Sequence, residues 1–158
     1  MRTAMAWVVF GAGLAASLVF GAASGLAQDR AGAVKARQDF MEQQQHDFDA
    51  IAAYAKGNGD QATAVGKVND LISRAPKIPD QFVAGTSSTD FPGVSRAKPE
   101  LWQNMDKVKA LAAALLANEQ KLLAAVKSGD NQAIMDQLVV TFRNGCGACH
   151  TDYRAPKT

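Results

Sequence analysis

The residues with the most chemical potential in this 158-residue chain stand together near its C-terminus: Cys146-Gly147-Ala148-Cys149-His150. Two cysteines separated by two residues and followed at once by histidine form the attachment pattern of a c-type haem. On a helix, residues three and four apart share a face. Both thiols can therefore reach the vinyl groups along one porphyrin edge, while His150 offers an imidazole nitrogen to the iron as proximal ligand. Gly147 and Ala148 are small and leave room for the macrocycle against the helix. Other readings of the pair fare worse. A thioredoxin-like redox pair belongs to a βαβ setting, a structural zinc asks for four ligands where this cluster offers three, and a disulfide between adjacent helical turns would be strained. The expectation is one haem c per chain, bound covalently through Cys146 and Cys149.

The rest of the chain must fold so as to position that group. With 47% hydrophobic and 20% charged residues, it has the composition of a single globular domain. Seventeen Lys+Arg against fifteen Asp+Glu leave a formal +2, too weak a field to point to a nucleic-acid partner. At the other end, Arg2 precedes an uncharged, mostly apolar run from Thr3 to Gln28 that closes on Gly25-Leu26-Ala27. This reads as a secretory signal peptide over residues 1–27, removed to leave a haem-binding domain over 28–158; an uncleaved anchor helix is the competing reading. No later segment is apolar enough to span a bilayer, so the mature chain is expected in the periplasm without stable membrane insertion. In an oxidising compartment, two thiols persist only if something consumes them.

Strand signals are scarce, and Ala, Leu, Lys, Gln and Glu dominate the periodic stretches. Segment one is expected over Asp29 to Lys56, with Val34, Met41, Phe48 and Ala55 recurring every seven residues and Gly57-Asn58-Gly59 ending it. Segment two runs over Asp60 to Arg74 and stops before Pro76. Segment three opens at Pro99 and continues through Leu101, Val108, Leu111, Leu115, Leu122 and Val126 to Ser128-Gly129. Segment four starts near Asp130 or Asn131 and carries Ile134, Leu138, Phe142 and Cys149 to about Tyr153. Two connections are short, and one, Pro76 to Lys98, is long. The predicted fold is all-α: an antiparallel up-down-up-down four-helix bundle with a long loop between helices two and three. Glu42, Asp47, Asp49 and His46 read as solvated, and Trp102 and Phe142 as aromatics of the core or the haem pocket.

An attachment motif closing the last helix resembles the class II cytochrome c family, the cytochrome c prime and low-spin cytochrome c-556 type. The residues that carry the resemblance are Val34-Lys35-Ala36-Arg37-Gln38, Phe91-Pro92-Gly93, Lys98-Pro99-Glu100-Leu101-Trp102 and Cys146 to Arg154, and it covers essentially the whole mature chain. In that family the residue facing the distal side of the haem lies one turn after the first-helix arginine. The resemblance thus implies Met41 as sixth iron ligand and Arg37 as a partner for a haem propionate. By pattern alone Met41 also suits core packing, Met105 and Met135 are alternative thioethers, and Arg37 also suits solvent; Arg143 and Arg154 add positive charge near the attachment site. The implied function is an exported single-electron carrier, not an enzyme, that docks transiently with redox partner proteins as a monomer or homodimer. The alternative is a five-coordinate gas-binding protein taking NO or CO. Peroxidase-like chemistry ranks last, because no histidine is placed as a distal acid/base.

Overall fold

The structure is a computed structural model that describes the backbone of residues 20–157, with side chains described from Asp29 onward. Arg2 and most of the apolar run expected to act as a signal lie outside the described residues. Helix α1 spans Phe20–Ala55, so the expected cleavage point after Ala27 falls within its backbone. At 1.5 Å per residue, these 36 residues extend for about 54 Å.

Helix α2, Gln61–Arg74, begins where Asp60 caps it. One Asp60 carboxylate oxygen accepts the Thr63 N–H at 2.8 Å and the other accepts the Thr63 hydroxyl at 2.7 Å, satisfying an otherwise orphaned first-turn donor. Pro76 then forces the chain into two 3₁₀ turns, Ala75–Lys77 and Pro79–Gln81. The single helix expected from Pro99 onward is instead two, α3 over Glu100–Gln103 and α4 over Met105–Ser128. Asn104 is the reason. Its side-chain amide donates to the Glu100 carbonyl at 2.7 Å and its backbone leaves the helical region at φ −123°, ψ 34°, offering the chain a local alternative to the helical ladder. Helix α4 ends at Gly129, whose φ of +73° is a left-handed cap that favours glycine.

The last helical segment is also interrupted. Helix α5, Asn131–Thr141, starts at Asp130, which accepts the N–H groups of Gln132 and Ala133. It then widens into a π-helical stretch over Phe142–Gly147 before α6, Ala148–Tyr153. The wide turn includes Asn144, Gly145 and Gly147, poor formers of regular helix, and Gly145 is buried against α4. A Cβ at Gly145 would lie 2.5 Å from Leu115 Cδ1. Only glycine allows this approach without moving Leu115.

Helix α1 packs on α2 and α5, and α4 packs on the same two. The four long elements thus close a ring in chain order, as a four-helix bundle requires. The buried core falls into three clusters. Phe48, Ile51, Val68, Leu71, Leu122 and Ile134 belong to the largest; Ala75, Ile78, Ala112 and Leu115 form a second; Leu101, Val108 and Tyr153 form a third. Burying each large aliphatic or aromatic side chain contributes about 1.5–3 kcal/mol.

The long connection is fastened at both sides. Arg37, 6% exposed, donates from one terminal nitrogen to Thr86 Oγ1 at 2.8 Å and Gln81 O at 3.5 Å, and from the other to Thr86 O at 2.9 Å and Ser95 Oγ at 3.0 Å. Its guanidinium also lies 5.3 Å from the centre of the Phe82 ring, a cation–π contact. Phe82 in turn meets Trp102 edge-on at 6.1 Å, and Trp102 donates to the Phe82 carbonyl. On the other side, an antiparallel bridge joins Ala97 to Arg154, with Lys98 N–H on Tyr153 O at 2.9 Å and Ala155 N–H on Arg96 O at 2.8 Å.

Asp47 overturns its expected place on a solvated face. Its carboxylate is fully buried and bonded by Arg74, with Lys67 at 3.1 Å. Asp47 sits beside Phe48 on the inner half of α1, where two cations from α2 compensate its burial. His46 is exposed, 3.9 Å from Glu42.

Two outcomes follow. Arg37→Ala removes the charged hydrogen bonds that tie α1 to the loop at Thr86 and Ser95 and lowers stability by about 2–3 kcal/mol in urea unfolding, with Arg37→Lys restoring little because a point charge cannot span both. Burial alone would push the Asp47 carboxyl up, but the hydrogen bonds and charges of Arg74 and Lys67 outweigh it and hold the carboxyl below its ordinary range. A lowered folded-state value contributes stability above the unfolded pKa and loses it as pH falls through the folded one. Asp47→Asn removes that contribution, so its stability in acid titration falls less steeply than that of the unaltered protein below about pH 4.

Candidate functional site

The three core clusters part at one end of the bundle around a two-lobed cleft. One lobe, about 330 Å³, is lined mainly by apolar side chains of α1, α4 and the last helical segment, including Phe48, Ala112, Leu115 and Phe142, together with Cys146. The other, about 470 Å³, is lined by Arg37, Arg96, Phe82, Leu101 and Tyr153. Met41, Gln45, Cys149, His150 and Arg154 line both lobes. Clefts of these sizes suit a cofactor.

The attachment motif reaches this space from the end of the π stretch and the start of α6. Cys146 packs against the first and second core clusters, and Cys149 against the third. Both are half-buried free thiols. Burial, helped by the nearby Glu119 and Cys149, pushes the Cys146 thiol up to about 11, and burial with Asp152 raises Cys149 as well. Thiols held protonated are poor nucleophiles in exchange chemistry, which disfavours a redox dithiol. His150 reaches solvent, yet burial and the charges of Arg154 and Arg96 lower its pKa. The imidazole is therefore neutral at neutral pH, the form that ligates iron. Arg154 lies 3.3 Å from His150 Nδ1.

Met41 enters the cleft from α1. It packs partly against the second cluster, and its sulfur accepts from Gln44 Nε2 at 3.4 Å. Met105 and Met135 pack instead into the third and first clusters and do not line either lobe. Phe142 lines the apolar lobe and packs on Phe48 with ring centres 4.7 Å apart, whereas Trp102 supports the loop outside it. Arg37 lines the second lobe, but its four terminal N–H hydrogens are engaged by the loop, which leaves Nε–H free of an acceptor among the described residues. Its clearest role in the structure is therefore to hold the loop.

These residues fit a flat macrocycle with one greasy edge and one acidic edge. The apolar lobe carries Cys146 beside aliphatic and aromatic walls. The other carries Arg37 and Arg96, with Arg154 between the two, a cationic set suited to carboxylates.

One residue near the site escapes the motif reading. Glu119 on α4 is 0% exposed, and both carboxyl oxygens are buried without a hydrogen-bond partner. Its signal was available in the sequence, since Val108, Ala112, Leu115, Glu119, Leu122 and Val126 follow an alternating four-and-three spacing along a single buried stripe.

Comparisons with known proteins agree with this geometry. The family profile described as cytochrome C' matches residues 32–154. A cytochrome c-556 of Agrobacterium tumefaciens (strain II Chrys) is 34% identical over 129 residues, covering 80% of this chain and all of the relative. A cytochrome c' of Cereibacter sphaeroides is 29% identical over 138 residues, covering 85% of this chain and 91% of the relative. Among solved structures, cytochrome c' from Thermochromatium tepidum superposes with a TM-score of 0.68 at 26% identity, covering 80% of this chain and 97% of that one. With the motif, the cleft and the bundle in agreement, the chain belongs to the class II cytochrome c family and is a haem c protein.

Proposed function

We propose that this protein is an exported single-electron carrier, not an enzyme, whose iron is held between His150 and Met41. The observation that carries this reading is that both side chains line both lobes of the same cleft, while Met105 and Met135 line neither. Haem c, when bound, supplies a one-electron ferric/ferrous couple. Cys146 and Cys149 tether it through two thioethers, so the group stays with the chain through many encounters. His150 offers a neutral imidazole nitrogen, with the Arg154 guanidinium flanking the ring near Nδ1. Met41 would offer a neutral thioether that, paired with His, raises the potential and leaves no open position for added ligands.

Arg96 and Arg154 present positive charge to the propionate edge, with Arg37 contributing its Nε–H there while its terminal nitrogens hold the loop. Ala112, Leu115, Leu101 and Tyr153 exclude water from the walls, which helps set the potential. His150 and Arg154 are exposed, so this side is where a redox partner protein docks, briefly and over a small area. Export rests on the expected signal peptide over residues 1–27 and places the carrier in the periplasm. Among the described residues, no helix is long and apolar enough to cross a membrane.

Visible spectra of the purified ferric and ferrous protein test the reading: a low-spin six-coordinate signature is expected, with little CO uptake on reduction. Met41→Ala converts the iron toward five-coordinate, high-spin behaviour with rapid CO binding. A high-spin signature in the unaltered protein would instead favour gas binding, and an unchanged spectrum in the variant would remove Met41 from the iron. Cys149→Ala leaves at most one thioether. The remaining Cys146 thioether keeps the haem on the chain under acid–acetone extraction while the pyridine haemochrome band shifts to that of a singly attached haem; the Cys146→Ala/Cys149→Ala double variant releases its haem, and haem retained there would contradict the attachment.

A further inference from the structure

The buried carboxyl of Glu119 has no part in attachment or ligation, yet it stands close to the attachment cysteine Cys146. It lies one helical turn beyond Leu115, which lines the cleft, and its charge is felt at Cys146, one of the two tethering sulfurs. Neither carboxyl oxygen has a hydrogen-bond partner. A buried, unpaired carboxylate is strongly disfavoured, and the group neutralises by keeping its proton.

The charges around it come from a few neighbours. From α2, Arg74 opposes the effect of burial, but Arg74 is already bonded to Asp47 of α1, as is Lys67 of α2. From the π stretch comes Cys146, neutral as a thiol or a thioether. The buried face of α5 carries Ile134, Leu138 and Thr141, none of them charged. Burial thus outweighs Arg74 and pushes the Glu119 carboxyl up to about 8. At neutral pH such a group is poised to respond to a change of charge close by.

We propose that Glu119 is a proton-binding site linked to the oxidation state of the haem, taking up one proton as the iron gains an electron and releasing it on oxidation. The inference rests on the electron-carrier reading. In the step, an external one-electron donor reduces ferric to ferrous iron, and one proton from solvent forms an O–H bond on the Glu119 carboxylate. The proton leaves hydronium or a buffer acid, whose bond to it breaks, and no other bond changes. The physical cause is that an added electron removes positive charge from the cleft. An anionic carboxylate behind Cys146 is then less favourable, and its proton affinity rises. Arg74, whose charge reaches this carboxyl, has a side chain 20% exposed, so the proton would enter from that side of the site.

The test is the midpoint potential of the purified holoprotein, measured by spectroelectrochemistry from about pH 6 to about pH 10, around the value at which Glu119 titrates. The expected potential falls as pH rises through that region. At fixed applied potential, the reduced-to-oxidised ratio drops about tenfold for each unit by which the Glu119 pKa differs between the two states. Glu119→Gln keeps the shape and removes the titration, so this part of the pH profile disappears while any contribution from propionates persists. Redox-difference infrared spectra provide a second readout: a protonated-carboxyl band grows on reduction near pH 8 and is absent from the variant. Reversible cycling with a flat potential, or a profile unchanged in Glu119→Gln, overturns this proposal alone. Loss of reversible cycling at every pH sinks the electron-carrier reading and this proposal with it.

Discussion

The governing constraint on this bundle is that one end of its core must stand apart far enough to admit a flat macrocycle while still keeping water off its walls. A four-helix bundle left to its apolar stripes closes along its full length, because interiors pack to crystal-like density. Here the stripes are fully apolar only in the half built from Phe48, Ile51, Val68, Leu71, Leu122 and Ile134. Toward the other end, α1 presents Arg37, Met41 and Gln44 at the positions that continue its stripe, and the core divides into smaller clusters around the cleft. The opening is therefore written into which residues occupy the inner face, together with the π stretch that carries Cys146 to it.

Holding that end open makes the long connection a structural element. Residues 76–98 carry little regular secondary structure and would be a poor wall if left loose. Arg37 binds the loop from α1, and the Ala97–Arg154 bridge binds it to the end of the haem-bearing helix. The Arg37 side chain is one turn from Met41, and Arg154 is one turn from His150. The same two turns that present the candidate iron ligands thus anchor the loop, which couples the dimensions of the cleft to the positions of its ligands.

The polar groups inside the bundle divide according to whether a partner could be found. Asp47 is buried but bonded by Arg74 and Lys67, and its pKa falls. Glu119, equally buried on α4, finds Arg74 already engaged, and its pKa rises. Two carboxyls in one core take opposite directions for a simple reason: a fixed pair of cations can fully compensate only one of them. The uncompensated one acts on the attachment cysteine Cys146.

Short-range chemistry was legible without coordinates. The attachment pattern at Cys146, Cys149 and His150, the helix starts near Asp60 and Asp130, the stop at Pro76 and the sevenfold stripe of α1 are all local, and local rules decide them. The stripe of α4 even held Glu119 in plain phase with its apolar neighbours. Tertiary structure alone decided the rest. The π stretch accompanies the close approach of Gly145 to Leu115, a contact 30 residues apart in the chain. Whether Arg37 meets solvent or a loop, and whether Asp47 finds two cations or none, are matters of long-range packing. No periodicity encodes those partners, because each was chosen by the folded chain from residues distant in sequence.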